Sequence, residues 1–200
     1  MAYGKVGTGF SLPWVAKYTA SDGVVTYSDA RRLARGVSVK ISPEVSDTEN
    51  FYADNIEAEE ESGTFTGGEL TLEVDGLLQD AEQFVFGTAK ADDDGFIAYN
   101  SSQSAPYVGV GFVRRYKSGG VVYYTPIIIC KTKFIPGEDE AETAEDSANW
   151  QTQELTATIF RDDTDDRAWK LIGTDYTSES EAEEKIKSKF NYSETTDEEE

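Results

Sequence analysis

Short stretches of strict alternation between apolar and polar side chains recur along this chain. In Glu69-Leu70-Thr71-Leu72-Glu73-Val74-Asp75 the odd positions are polar and the even ones apolar. A period of two sends one set to a buried face and the other to water, which predicts a half-buried strand. Glu154-Leu155-Thr156-Ala157-Thr158-Ile159 repeats the pattern, as does Val37-Ser38-Val39-Lys40-Ile41-Ser42, where Pro43 is expected to end the strand. Two further segments, Tyr107–Phe112 and Val121–Phe134, are apolar on successive residues. Ile127-Ile128-Ile129-Cys130 is the clearest case, and such a run predicts a strand covered on both faces. Between these segments, Lys117-Ser118-Gly119-Gly120 has the composition of a hairpin turn.

Helical periodicity is scarce. Asp80–Phe86 predicts one short helix, with Gly87 placed as its C-terminal stop. Near the end, Ser180-Glu181-Ala182-Glu183 has the spacing of a capping box and predicts a helix running to about Phe190. Ala182, Ile186 and Phe190 then share one face, a stripe wide enough to dock on a neighbour but too narrow to form a domain.

Two hundred residues allow one domain of ordinary size. With 39 acidic and 18 basic side chains the formal charge is −21, which opposes gripping nucleic-acid phosphates or anionic membranes. The charge is uneven. Residues 1–40 carry six bases against Asp22 and Asp29, whereas Glu57–Glu61, Glu138–Asp146, Asp162–Asp166 and Glu194–Glu200 are acidic. Gly137–Ser147, with six acids and no base, reads as an exposed loop, and Asn191–Glu200 as a disordered tail. No apolar run approaches the ~20 residues of a membrane span, and the N-terminus lacks a basic-then-apolar secretion signal.

Candidate chemistry is thin. Histidine is absent, which removes the commonest general base and the commonest zinc ligand. The single cysteine, Cys130, follows three isoleucines and reads as a core residue. Gly4-Lys5-Val6-Gly7-Thr8-Gly9 lacks both a preceding strand and the Gly-Lys-Ser/Thr ending of a phosphate loop, and reads as a flexible arm. Asp92-Asp93-Asp94-Gly95 and Asp162–Asp166 lack the ligand spacing of a calcium loop and read as turns. Trp14, Trp150 and Trp169 are expected to be core or interface anchors. The expectation is a protein that is no enzyme and needs no cofactor or metal.

A series of phrases, in order, resembles the major tail protein family of long-tailed bacteriophages of Gram-positive bacteria. They are Val24-Val25-Thr26-Tyr27 leading through Leu33-Ala34-Arg35-Gly36 into Val37-Ser38-Val39, then Phe51-Tyr52-Ala53-Asp54-Asn55. Gly68–Asp75 and the Leu77–Gly87 helix come next, followed by Ala105-Pro106-Tyr107-Val108-Gly109-Val110-Gly111-Phe112. Lys131-Thr132-Lys133-Phe134-Ile135-Pro136, Trp150-Gln151-Thr152-Gln153-Glu154, Phe160-Arg161-Asp162 and Trp169-Lys170 complete the series. The resemblance covers about residues 3–171; the chain from Leu171 onward resembles no ending of that family.

The resemblance implies a mainly β fold: a tail-tube-type β-sandwich or barrel with one short flanking helix, here followed by a C-terminal helix and acidic tail. The expected divisions are an N-terminal arm (1–12), the sandwich domain (13–176) and the helix with its tail (177–200). It implies a virion subunit, present in the host cytoplasm during assembly, whose six-membered rings stack head to tail into a tube that conducts duplex DNA. Its partners would be copies of itself and the tail terminator, tape measure and distal tail proteins, with no membrane. About four strands per subunit would line the bore. On this basis Glu69, Thr71, Glu73 and Asp75, with Thr152, Glu154, Thr156 and Thr158, are expected to face the lumen. Four acids in six copies would give the bore a charge of about −24, which repels phosphate. Ring-to-ring contact is expected between the basic segment (Arg31, Arg32, Arg35) and an acidic loop, either Glu57, Glu59 and Glu60 or Glu138, Asp139 and Glu140. The alternative is a decoration or receptor-binding module on a capsid or baseplate; a cell-wall hydrolase would need an activated base that the sequence does not offer.

Overall fold

The computed structural model describes residues 4–47, 49–53, 56–61, 63–137, 143 and 151–193. It is mainly β, and its principal sheet is antiparallel and open. The strands are β1 (Val6–Ser21), β2 (Val24–Arg32), β3 (Gly36–Val45), β6 (Phe65–Val74), β7 (Val108–Ser118), β8 (Val121–Ile135) and β9 (Gln153–Phe160). They run in the order β2-β1-β7-β8-β9-β6-β3, with β10 (Lys170–Ile172) paired to β8. A separate hairpin, β4 (Glu49–Ala53) and β5 (Ile56–Glu61), lies between β3 and β6 in the chain. Two helices complete the described residues: α1 (Gln79–Phe86) and α2 (Glu179–Lys189).

One strand organises the rest. β8 is 15 residues long; its first part pairs with β7 and its last part with β9. The sheet folds across it, so that both halves bury apolar residues in one core. Val15, Val110, Phe112, Ile127 and Ile129 come from one half, and Leu70, Leu72, Phe134, Leu155 and Ile159 from the other. Helix α1 closes that core with Ala81, Val85 and Phe86. The continuous apolar runs have the predicted double cover: Ile127 and Ile129 point into this core, whereas Ile128 joins a second cluster on the opposite face. A β-bulge separates the two parts of β8. Val108 pairs with Thr132 but Val110 with Ile129, so β8 spends one residue more than β7 there.

The second cluster lies under α2. Ala182, Ile186 and Phe190, the stripe foreseen in the sequence, are fully buried against Trp14, Ala16, Tyr18, Tyr27, Val113 and Ile128. Close approach requires small residues below: a Cβ on Gly111 would lie 2.5 Å from Ile186 Cγ2 and 3.0 Å from a Phe190 ring carbon. The N-cap is Ser178 rather than Ser180, and no side-chain cap bond forms. The two hydroxyls bond each other at 2.7 Å instead, so the capping box is not made.

Other expectations divide. Gly87 ends α1 in the left-handed conformation (φ 65°), its N–H donating to Gln83 O, and Gly119-Gly120 forms a two-residue hairpin between Ser118 and Val121. Pro43 does not end its strand. β3 is outermost in the sheet, where the missing N–H of Pro43, paired opposite Gly68, costs no ladder bond. The expected arm of residues 1–12 is, from Val6, the start of β1, paired with β7 from Val6↔Lys117 onward. Gly7 and Gly9 are thus strand residues, although neither is needed for close packing. Asn191 and Tyr192 pack too: Asn191 donates to Tyr27 O, and the Tyr192 ring meets Trp14 edge-on at 4.9 Å. Trp169 stacks on Phe65 at 4.6 Å, while Trp150 lies outside the described residues.

Candidate functional site

The outer surface of the sheet has two unlike parts. Over β1, β7 and the first part of β8 it is covered by α2; over β3, β6, β9 and the last part of β8 no described helix covers it. Register assembles this second part into rows. Ser42, Glu69, Thr158 and Lys133 stand side by side across four strands. Lys40, Thr71, Thr156 and Ile135 form the next row, then Ser38, Glu73 and Glu154. Their alternate partners, Leu70, Leu72, Leu155, Ala157 and Phe134, are buried beneath. One side of each strand is therefore core and the other polar, as period-two alternation requires.

Six of the eight residues expected to line a lumen share this face: Glu69, Thr71, Glu73, Glu154, Thr156 and Thr158. Thr152 precedes β9 and donates its hydroxyl to Glu73 Oε1 at 2.7 Å, while Ser38 donates to Glu73 Oε2 at 2.9 Å. These bonds, Thr152 first, hold the Glu73 carboxyl below its ordinary range. Asp75 behaves differently. It lies one residue past β6 and accepts from both the backbone N–H and the guanidinium of Arg35, which lowers its pKa. That carboxylate pins the β2–β3 corner and is not part of the paired rows.

The face is also not uniformly acidic. Lys40, Lys133 and Lys131 share it with Glu69, Glu73 and Glu154, and Glu44 adds one acid at the end of β3. Four carboxylates less three lysines give about −1 per copy, against the four acids foreseen. Alternation within one strand carries no information on its neighbours; register brings these lysines in from β3 and β8. Lys131 is itself engaged. Its ammonium lies 2.7 Å from Asp163 Oδ2 and above the Tyr18 and Tyr107 rings at 5.1 and 4.7 Å. Asp163 also accepts from Tyr18 Oη at 2.7 Å, and its carboxyl is held low, chiefly by Lys131 and then by Tyr18. Burial, with the Asp163 bond second, raises the Tyr18 phenol.

The residues expected to join rings are not grouped. Arg31 lies 3.8 Å from Asp80 with its guanidinium 4.3 Å over the Phe84 ring, and Arg35 is held by Asp75. Both charges are thus answered within the chain, and only Arg32, exposed at the end of β2, is left without an acid partner among the described residues. Glu57, Glu59 and Glu60 lie in strand β5, paired with β4, and not in a loop. Glu138, Asp139 and Glu140 fall outside the described residues.

Chemistry of other kinds has little to stand on. Cys130 is buried and its thiol is pushed up to about 12, burial being the main cause. Asp92 Oδ1 accepts from the N–H groups of Asp94 and Phe96, and Asp162 Oδ1 from the N–H and hydroxyl of Thr164, so both acidic runs are turns closed on themselves. Among the described residues no group of three metal-ligating side chains comes together, and no helix is long and apolar enough to cross a membrane. The class these features define is a mainly β chain with a one-sided polar sheet and free sheet edges. No protein-family model and no curated protein sequence matches it.

Proposed function

We propose that this chain is a self-assembling structural subunit of a bacteriophage tail tube, its copies forming six-fold rings that stack around a DNA-conducting bore. The resemblance in sequence suggests the role. One observation supports it above the others: four adjacent strands, β3-β6-β9-β8, present a polar face that no described helix covers, beside a half whose outer face is already covered by α2. Four strands from each of six copies, about 4.8 Å apart and tilted by about 45°, close at a backbone diameter of roughly 50 Å, room for duplex DNA after side chains are added. In this reading the two-layered subunit turns its polar face inward, and β2 and β3, the outermost strands of the open sheet, are available for neighbours.

The wall so formed is a mixture of hydroxyls, carboxylates and lysines with slight negative excess. It offers phosphate no net cationic surface, so a duplex passes without counterion release holding it. Electron microscopy of concentrated protein tests the assembly: hollow rings or tubes are expected, and a chain that stays monomeric at every concentration overturns it. Virions carrying Glu69→Lys and Glu154→Lys test the wall. Tubes should form with DNA release slowed; unchanged release kinetics would move this face out of the bore.

A further inference from the structure

Two large apolar side chains stand out in water at one corner of the molecule. Leu78 is 75% exposed and Phe96 is 73% exposed. Gln79 Nε2 donates to Gly95 O at 2.8 Å, which brings their chain neighbours together at the N-terminal end of α1. The turn that carries Phe96 is rigid, since Asp92 accepts from two backbone N–H groups and its own N–H donates to Phe96 O. A fixed, solvent-exposed apolar pair is a costly feature for an isolated chain and marks a contact surface.

A matching recess lies at the other end of α1, about 12 Å along the helix axis. β7 starts at Val108, opposite Thr132, so β8 runs on from Lys133 with one edge unpaired among the described strands. The segment Tyr99–Ala105 stands off that edge and leaves an apolar groove of about 630 Å³, floored by Phe86, Phe134, Ile135, Pro136 and Phe160. That volume is in the range that engulfs a bulky apolar group. The charges are complementary as well. Asp93 and Asp94 are exposed beside Phe96, whereas the groove holds Lys133, whose ammonium donates to Ser104 Oγ at 3.3 Å, lies 5.7 Å from the centre of the Tyr107 ring and has no carboxylate partner among the described residues.

We infer that Leu78 and Phe96 of one copy seat in the Phe86–Phe134–Phe160 groove of a second copy, with Asp93 and Asp94 meeting Lys133. A protrusion and a recess at different places on one chain make a head-to-tail contact, which propagates around a ring rather than closing in a pair. The pair is the anchor of a larger interface, since two side chains alone fall short of the area a stable contact needs. The inference rests on the self-assembly proposed above and names the subunit contact within it.

The test places p-benzoylphenylalanine at position 96 of the full chain and irradiates a mixture of isotopically light and heavy copies. Mixed-isotope crosslinks to Phe134–Pro136 or Phe160 are expected. Crosslinks within one copy, including to residues 138–150, or to another surface, overturn the inference. In parallel, Phe96→Asp should raise the concentration needed for assembly by at least about thirty-fold. Lys133→Glu should weaken assembly, and adding Asp93→Lys and Asp94→Lys should restore it. Rings that form normally from Phe96→Asp, with no rescue in the charge series, sink this contact while leaving the tube standing. Wild-type chains that never associate sink both.

Discussion

Replacing Phe190 by alanine should release α2 from the sheet while leaving the sheet folded. Phe190 is fully buried, its ring 4.9 Å from that of Tyr27 and pressed over the backbone of Gly109 and Gly111. Removing so buried a phenylalanine costs about 3–5 kcal/mol. What remains to hold the helix is Ile186, worth about 1.5–3 kcal/mol when buried, the small side chain of Ala182, and the bonds that Trp14 Nε1 and Ser11 Oγ donate to Glu183 and Glu179, worth about 1 kcal/mol or more each. Eleven residues are also too few for an independent helix in water. The loss is as large as what the remaining contacts supply, so the helix leaves the sheet far more often while the sheet stays folded. Amide exchange followed by mass spectrometry reads it directly. Amides of Ala182–Lys189 should exchange about two to three and a half powers of ten faster, at a rate set by the lost docking energy. Amides of Val110 and Phe112 in β7 should not change. Unaltered exchange in α2 would refute the reasoning, and an equal acceleration in β7 would show that the helix opens only when the whole chain unfolds. Phe190→Leu should give the same pattern at smaller amplitude.

Three further outcomes follow from single positions. Gly87→Ala should cost at least about 1–2 kcal/mol in urea unfolding, because φ is 65° and the added Cβ would lie 2.5 Å from Ser104 O. Cys130 should resist an aromatic disulfide reagent at pH 8 in the native state and react at once in denaturant, since burial raises its thiol to about 12. The Asp175 carboxyl is held below its usual range by the Lys5 ammonium first and the Thr125 hydroxyl second. Its folded pKa lies under its unfolded one, so its contribution to stability is complete above an unfolded pKa of about 4 and disappears as pH falls through the folded value. Asp175→Asn should therefore lower stability at pH 6 and flatten the loss between pH 4 and pH 2, measured by urea titration at each pH.

The sequence disclosed local rules well and non-local ones poorly. The stripe of Ala182, Ile186 and Phe190, the stop at Gly87 and the hairpin at Gly119-Gly120 each depend on neighbours within a turn or two, and all are present in the structure. The alternation at Glu69–Val74 and Glu154–Ile159 gave the correct inner and outer faces. What it concealed was who stands beside whom. Lys40 and Lys133 reach the same face through register with β6 and β9, and Arg35 is captured by Asp75 forty residues away. Pro43 and the glycines before Leu12 misled for a related reason: their local signal is for a break, and only the position of β3 at the rim and of β1 beside β7 overrides it. Ser180 failed as a cap because Ser178 offered the helix an earlier start.

The extra residue that β8 inserts near Cys130 sets the phase of everything after it. Before that point Ile127 and Ile129 point inward; beyond it Thr132 and Phe134 do, and Lys131, Lys133 and Ile135 point out. Take one residue away and the parity inverts, sending two ammonium groups toward the hydrocarbon interior and a phenylalanine into solvent. Substitutions on this strand can be absorbed piecemeal, but a single-codon deletion there would turn the last part of β8 inside out.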